Sequence, residues 1–181
     1  MELKSYVAFL RGINVAGKKK VSMESLKALC DNLGLKEVRT YIQSGNILFK
    51  NEQLQTDSLA GLLADAIQKK YGFQVPVLVK TVSQVKKILD YNPFDNEEDL
   101  VANKIYFVLL NEVPTDELLT KFKADTFENE EYFVAENCMY LKCNLGYGKA
   151  KLNNNLIERK LKVSATTRNF RTISKLVALG S

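Results

Sequence analysis

The stretch Tyr6-Val7-Ala8-Phe9-Leu10 decides the fold, because five consecutive apolar residues put apolar side chains on both faces of an extended strand. A strand of this kind lies in the middle of a sheet and is covered on both sides. Tyr6, Ala8 and Leu10 share one face, which we expect the second region of the chain to bury. An open sheet face of the kind that stacks RNA bases is therefore disfavoured.

The segments after this strand predict an α+β fold. Apolar residues at helical spacing mark two helices. Between them lie two strand candidates joined by a turn at Ser44-Gly45. The order β-α-β-β-α-β predicts a ferredoxin-like subdomain over residues 1–80. Its predicted elements are Tyr6 to Leu10, Met23 to Leu33, Val38 to Gln43, Asn46 to Lys50, Leu59 to Tyr71 and Val75 to Val79.

The remaining residues, 81–181, predict a second, smaller α/β subdomain with basic C-terminal helices. We expect a buried strand from Lys104 to Leu110, a hairpin around Glu136-Asn137 and an acidic loop from Phe94 to Val101. Thr166 or Thr167 is predicted to cap the last helix.

Charge is distributed unevenly along a chain whose formal net charge is +5. Basic residues exceed acidic ones by five in residues 1–80 and by eight in residues 137–181, whereas acidic residues are in excess by eight in residues 81–136. Segregation on this scale attracts anions to the two basic segments. The alternative is that the acidic segment only pairs with the basic ones.

The absence of histidine excludes Ser-His-Asp and Cys-His catalytic systems and imidazole-ligated metals. Cys30, Cys138 and Cys143 lack C-x-x-C spacing, so no standard zinc site is expected, and we expect no cofactor. The longest apolar run, Ile105 to Leu110, is far shorter than the about 20 residues of a membrane span, and no signal peptide is visible. We therefore expect a cytoplasmic protein with free thiols and no membrane partner.

The loop after the first strand is one candidate anion-binding element. It contains G-x-x-x-x-G-K from Gly12 to Lys18, but a P-loop needs Ser or Thr next, where this chain has Lys19. Nucleotide hydrolysis is therefore disfavoured. The glycines still allow an anion to approach the backbone, and the lysines supply charge. A solvated basic turn is the alternative.

Two further candidates lie near the C-terminus. The loop from Gly146 to Lys151 combines glycines and lysines with Tyr147, an aromatic residue that can stack on a base or sugar. If a helix starts near Thr167, Arg168 and Arg171 lie on one of its faces beside free N–H groups that attract anions. The alternative is that these arginines pair with acidic residues, namely Glu128, Glu130 or Glu131.

Three segments resemble the motifs of a bacterial family catalogued as domain of unknown function 1697: Ala8 to Lys18, Thr40 to Phe49 and Ala165 to Thr172. At Ala16 and Phe170 the chain departs from the family motifs, which have Gly and Trp there. The resemblance extends over essentially the whole chain. It implies a two-part α/β structure with a ferredoxin-like first half, and it implies no established activity.

The favoured function is non-catalytic binding of a phosphate-bearing ligand, either nucleic acid or a phosphorylated small molecule. One alternative is an enzyme for a phosphorylated or carboxylated small molecule, in which Tyr, Lys or Asp would transfer the proton. Another is a protein-interaction domain. The sequence assigns neither a catalytic residue nor an oligomeric state. The predicted site gathers the loop from Arg11 to Lys20, the turn Gln43-Ser44-Gly45-Asn46, the loop from Gly146 to Lys151 and the helix start from Thr167 to Arg171. The predicted ligand-binding residues are Arg11, Gly12, Asn14, Gly17, Lys18, Gln43, Ser44, Asn46, Tyr147, Lys149, Lys151, Thr167, Arg168, Asn169 and Arg171.

Overall fold

The computed structural model describes residues 3–52 and 55–181, which form two units. Unit 1 consists of the described residues up to Lys87 together with Lys175–Ser181, and unit 2 is Ile88–Ser174. Each unit contains one four-stranded sheet whose neighbouring strands are all antiparallel. The predicted α+β class is confirmed. The units differ from the sequence-based subdomains, 1–80 and 81–181, because residues 81–87 and 175–181 belong to unit 1.

Unit 1 has the predicted element order. Its elements are β1 (Lys4–Leu10), α1 (Met23–Asn32), β2 (Lys36–Tyr41), β3 (Asn46–Asn51), α2 (Thr56–Tyr71), β4 (Val77–Thr81) and the larger part of α3 (Val82–Asp90). The strand order is β2-β3-β1-β4, so the apolar strand β1 is central, as predicted. Ser22 caps α1 by accepting the N–H of Ser25 at 3.1 Å, and Gly72 ends α2 with a φ of 78°.

One face of this sheet is covered by α1 and α2. Tyr6, Ala8 and Leu10 are buried there against apolar residues of both helices, including Leu26 and Leu63. The expectation that the second region covers this face was wrong, because the amphipathic stripes of α1 and α2 already supply the cover.

The opposite face of the same sheet carries Leu48, which is also buried. Gly180 packs closely there. A Cβ atom on Gly180 would lie 2.6 Å from Cγ2 of Val82 and 3.0 Å from Cδ2 of Leu48. The C-terminal segment of the chain is thereby fixed to unit 1.

Unit 2 repeats the antiparallel arrangement with the strand order β6-β7-β5-β8. Its sheet packs against α5 and α6 through a core that includes Val108, Phe122, Leu141 and Ile157. Its elements are the end of α3, then α4 (Glu97–Val101), β5 (Ile105–Leu110), α5 (Asp116–Lys123), β6 (Glu130–Ala135), β7 (Cys138–Cys143), α6 (Asn154–Leu161), β8 (Ala165–Asn169) and the start of α7 (Phe170–Gly180).

Two local predictions in unit 2 were wrong. The segment predicted to open the last helix forms β8 instead, because Thr167 and Arg168 pair with Val108 and Phe107 of β5. The helix begins later, at Phe170. The predicted loop from Phe94 to Val101 contains α4, whose first N–H groups are capped by Asn96.

Within the described part of the chain, no helix is long and apolar enough to cross a membrane.

Candidate functional site

The loop between β1 and α1 folds into a small hairpin. The N–H of Lys18 donates to the carbonyl of Val15 at 2.9 Å, and the N–H of Asn14 donates to the carbonyl of Lys19 at 3.1 Å. Ala16 and Gly17 form the tip with positive φ angles of 48° and 75°, as a type I′ turn requires. These N–H groups are engaged within the hairpin, which agrees with the rejection of a P-loop at this position.

Asn14 fixes the base of the hairpin. Its Nδ2 donates to the carbonyls of Val21 and Gln43, each at 2.9 Å, and its Oδ1 accepts the N–H of Val21 at 2.9 Å. The side chain therefore joins the hairpin to the start of α1 and to the turn between β2 and β3. The geometry gives Asn14 a positioning role.

The turn between β2 and β3 is equally well fixed. Nδ2 of the fully buried Asn46 donates to the carbonyl of Tyr41 at 2.9 Å and to Oγ of Ser44 at 3.2 Å. Gly45 has a φ of 80°, and its carbonyl accepts the N–H of Leu10 at 2.8 Å. The structure thus brings together the loop between β1 and α1 and the turn between β2 and β3 in unit 1. Internal hydrogen bonds hold both in place.

The lysines of the hairpin differ in their surroundings. Nζ of Lys19 donates to the carbonyl of Gln74 at 2.7 Å and lies 5.9 Å from the ring centre of Phe73. Lys18 and Lys20 are exposed, as are the predicted glycines Gly12 and Gly17. Arg11 is half-buried and has interactions of its own. All three lysines are exposed, and Lys18 and Lys20 are the two whose ammonium groups have no identified partner among the described residues.

Arg168 is a buried residue of β8. It is 9% exposed, and its Nη1 donates to the carbonyl of Thr167 at 2.9 Å. Burial lowers the pKa of the guanidinium to about 10, and the nearby Tyr147 opposes this shift. The group remains positively charged at neutral pH. Arg168 was predicted to share an exposed helix face with Arg171, and the strand conformation of β8 shows that this placement was wrong.

The other polar residues near β8 have identified structural partners. Oγ1 of Thr167 donates to Oδ1 of Asn154 at 2.6 Å, and Asn169 caps α7 by accepting the N–H of Thr172 at 2.9 Å. Arg171 is exposed and donates from Nη2 to the carbonyl of Val101. These contacts hold β8, α6, α7 and α4 in place within unit 2.

Tyr147 is part of an aromatic pair. Its ring stacks on that of Tyr106 with 4.8 Å between the centroids, in a 3-10 turn that ends at the exposed Lys149. Burial raises the pKa of the Tyr106 hydroxyl, which accepts a hydrogen bond from Nδ2 of Asn103 at 3.4 Å. One face of the Tyr147 ring is therefore covered within unit 2.

An open groove of about 770 Å³ lies between the C-terminal end of α5 and the N-terminal end of α6. Its charged lining residues are Asp125, Lys151, Arg159 and Lys160, and Nζ of Lys160 lies 2.6 Å from Oδ2 of Asp125. Lys151 and Arg159 are exposed, and neither side chain has a carboxylate partner among the described residues. We call this feature the α5–α6 groove.

Glu130 shapes one edge of the α5–α6 groove. Its two carboxylate oxygens accept the backbone N–H groups of Lys151 and Leu152, each at 2.9 Å. The sequence named Glu130 only as a potential partner of the arginines. It named Lys151 but missed Arg159, although Asn155 and Arg159 occur four residues apart on a predicted helix and both line the groove.

A family model described as "Protein of unknown function (DUF1697)" matches residues 3–140 of the chain. The chain belongs to this family. Two of the three segments on which the DUF1697 resemblance rested, Ala8 to Lys18 and Thr40 to Phe49, lie inside the matched range. The third, Ala165 to Thr172, lies beyond it.

A solved structure extends the comparison to the full length. It is that of the conserved bacterial protein SP0830 from Streptococcus pneumoniae, with a TM-score of 0.78 and 24% sequence identity. The match covers 99% of this DUF1697 chain and 100% of the other. At this identity the likeness concerns the fold. No curated protein matches the chain.

Among residues 3–52 and 55–181, no three acidic, cysteine or histidine side chains are grouped as a metal site requires.

Proposed function

We propose that the protein binds phosphate-bearing ligands without catalysing a reaction, and that the α5–α6 groove is the binding site. One observation carries this proposal. Lys151 and Arg159 flank a groove of ligand-sized volume and are not neutralised by carboxylates within the described structure. An arginine fork and a lysine ammonium group are suited to bind phosphate oxygens through charge-assisted hydrogen bonds.

The apolar part of the groove suits the remainder of such a ligand. Phe127 and Leu156 line it beside the hydroxyl group of Thr126. Phe127 is half-buried and held by ring contacts with Phe122 and Tyr132, each with 6.0 Å between centroids. A fixed aromatic side chain next to unpaired cations is the combination to which bases and sugars of nucleotides bind.

The titration of two tyrosines bears on the enzyme alternative. Burial raises the pKa values of Tyr106 and Tyr132, which moves both hydroxyl groups further from neutrality. General acid–base catalysis at neutral pH requires the opposite shift for a tyrosine. The enzyme alternative therefore gains no support from these groups.

Binding assays with single substitutions test this proposal. We expect a labelled single-stranded oligonucleotide, a nucleoside triphosphate or both to bind the wild-type protein. Lys151→Ala and Arg159→Ala should each weaken binding by about 1–3 kcal/mol, because a charge-assisted contact is lost. Lys69→Ala removes the same charge from an exposed position on α2 of unit 1 and serves as the matched control.

Salt dependence separates the two ligand classes. Several phosphate contacts give a steep fall in affinity with increasing salt, whereas a single small anion gives a shallow one. The proposal is refuted if the wild-type protein binds neither ligand. It is also refuted if both groove variants bind as the Lys69→Ala control does.

A further inference from the structure

Two exposed aliphatic side chains lie beside exposed lysines in unit 1. Val15 at the hairpin is 61% exposed, and Ile42 in the turn after β2 is 46% exposed. The hydrogen bond from Nδ2 of Asn14 to the carbonyl of Gln43, 2.9 Å long, joins the two loops at the positions adjacent to Val15 and Ile42. We call the resulting surface the basic tip, and it consists of Val15, Lys18, Lys20 and Ile42.

The backbone of Ile42 is strained. Its φ of 50° lies in the left-handed region, which is strongly unfavourable for a β-branched residue. Burial in a core does not compensate this strain, because almost half of the side chain is exposed. Strained residues of this kind cluster at functional positions. The Ile42 side chain thus stays almost half exposed at a conformational cost that core burial does not offset.

Unit 2 carries a surface of complementary character on α4. Glu97 and Glu98 precede Val101 by four and three residues, so all three side chains lie on one side of the helix. Val101 is 64% exposed, and both glutamates are exposed. Asp99 differs from them, since its carboxylate pairs with Lys142 at 2.8 Å. We call Glu97, Glu98 and Val101 the acidic face.

We propose that the basic tip of one molecule docks on the acidic face of a second copy of this chain. Each surface has an aliphatic centre, and the flanking charges are opposite in sign. Arg171 donates to the backbone carbonyl of Val101, and no lysine or arginine pairs with the carboxylates of Glu97 and Glu98 among the described residues. A polyphosphate on the basic tip would leave Val15 and Ile42 in water, whereas Val101 of a second copy covers them. The small contact predicts a weak, salt-sensitive association.

A charge-swap experiment tests this contact. One variant is Lys18→Glu with Lys20→Glu, and the other is Glu97→Lys with Glu98→Lys. Each reverses one surface, so each variant alone has two surfaces of like charge. A mixture again has complementary pairs, because the reversed tip of one variant faces the reversed α4 of the other. Each single exchange changes the charge by two, so the net charge of +5 becomes +1 in the Lys→Glu double variant and +9 in the Glu→Lys double variant. Both variants are net positive, so attraction between opposite net charges cannot cause the mixture to associate.

Sedimentation velocity at about 50 mM salt and about 300 mM salt provides the readout. We expect the wild-type protein to associate reversibly at low salt and to dissociate at high salt. Each variant alone should be monomeric, and the mixture should associate. A wild-type protein that is monomeric at low salt up to high concentration overturns the proposal. So does a mixture that stays monomeric, or a single variant that associates as well as wild type.

Ile42→Gly separates an intermolecular role from a structural one. Glycine adopts a φ of 50° without strain, so thermal stability should be unchanged or higher. Association should nevertheless be lost, because the aliphatic contact is removed. An Ile42→Gly protein that still associates contradicts the docking role. A large loss of thermal stability would instead show that Ile42 supports the fold and would also overturn the proposal.

Discussion

Gly45→Ala is the substitution whose effect the structure specifies most closely. The new Cβ would lie 2.7 Å from Cδ1 of Ile13 and 2.8 Å from Cβ of Leu10. Both neighbours are buried, and Leu10 is part of the central strand β1, so neither has free space into which to move. The substitution therefore forces apart the hairpin base and the turn between β2 and β3.

The expected magnitude has two parts. An L-residue at a φ of 80° costs about 1–2 kcal/mol, and overpacking of a well-filled core costs about 1–3 kcal/mol. We expect Gly45→Ala to lower the free energy of unfolding by about 2–5 kcal/mol in total. Gly17→Ala is the matched control. Its φ is 75° and no atom lies within 4 Å of the added Cβ, so only the first part applies.

Urea denaturation followed by circular dichroism measures both variants against wild type. The order of stability should be wild type, then Gly17→Ala, then Gly45→Ala. If the two variants lose the same free energy, the close approach of Gly45 to Ile13 and Leu10 does not contribute, and the reasoning is refuted.

Further predictions concern titration and thiols. Hydrogen bonds from lysines, chiefly Lys142, lower the pKa of Asp99 below 3.8. The stability lost in Asp99→Asn, measured by urea midpoints, should therefore be constant near neutrality. It should vanish as the pH falls through the lowered pKa. The pKa of Lys142 is raised above 10.5, so its contribution should disappear as pH rises through that higher value. Burial raises the pKa values of Cys30 and Cys143 to about 12, and Cys138 is also buried. A thiol reagent should therefore react with these three cysteines only after denaturant is added. Chelator and reductant should leave the thermal melt unchanged, and a drop of several degrees with either would contradict the expectation that metals and disulfides are dispensable.

Local signals in unit 1 were sufficient to predict its element order. The five apolar residues from Tyr6 to Leu10 identified the central strand, Ser22 marked the start of α1 and Gly72 marked the end of α2. Each of these signals depends on residues close in sequence. The cover of the face that carries Tyr6, Ala8 and Leu10 was misjudged, because facing depends on how helices cross over the sheet.

Non-local pairing explains the main error in unit 2. Thr167 and Arg168 fit a helix start by local criteria, but they pair with Val108 and Phe107, about 60 residues earlier in the chain. This pairing buries Arg168, which the sequence had treated as an exposed ligand-binding side chain. Arg159 was missed because the groove that it lines forms only where α5 packs beside α6.

The candidate site in unit 1 was predicted in part. The sequence grouped the hairpin and the turn between β2 and β3 with two C-terminal segments in one site. The structure joins the first two through Asn14 and Gln43. The polar side chains that suggested ligand binding, Asn14 and Asn46, prove to be engaged with the backbone. Amide side chains serve equally well for loop closure and for ligand contacts, so residue type alone does not distinguish the two roles.

The central claim is that a phosphate-bearing ligand binds in the α5–α6 groove, and mapping of backbone amide chemical shifts tests it most directly. The probes are a short single-stranded oligonucleotide and a nucleoside triphosphate, each titrated into isotope-labelled protein. We predict saturable shifts centred on Phe127, Lys151 and Arg159, which disappear in the Lys151→Ala, Arg159→Ala double variant. Shifts confined to the hairpin around Lys18, or no saturable shifts with either probe, would contradict the claim.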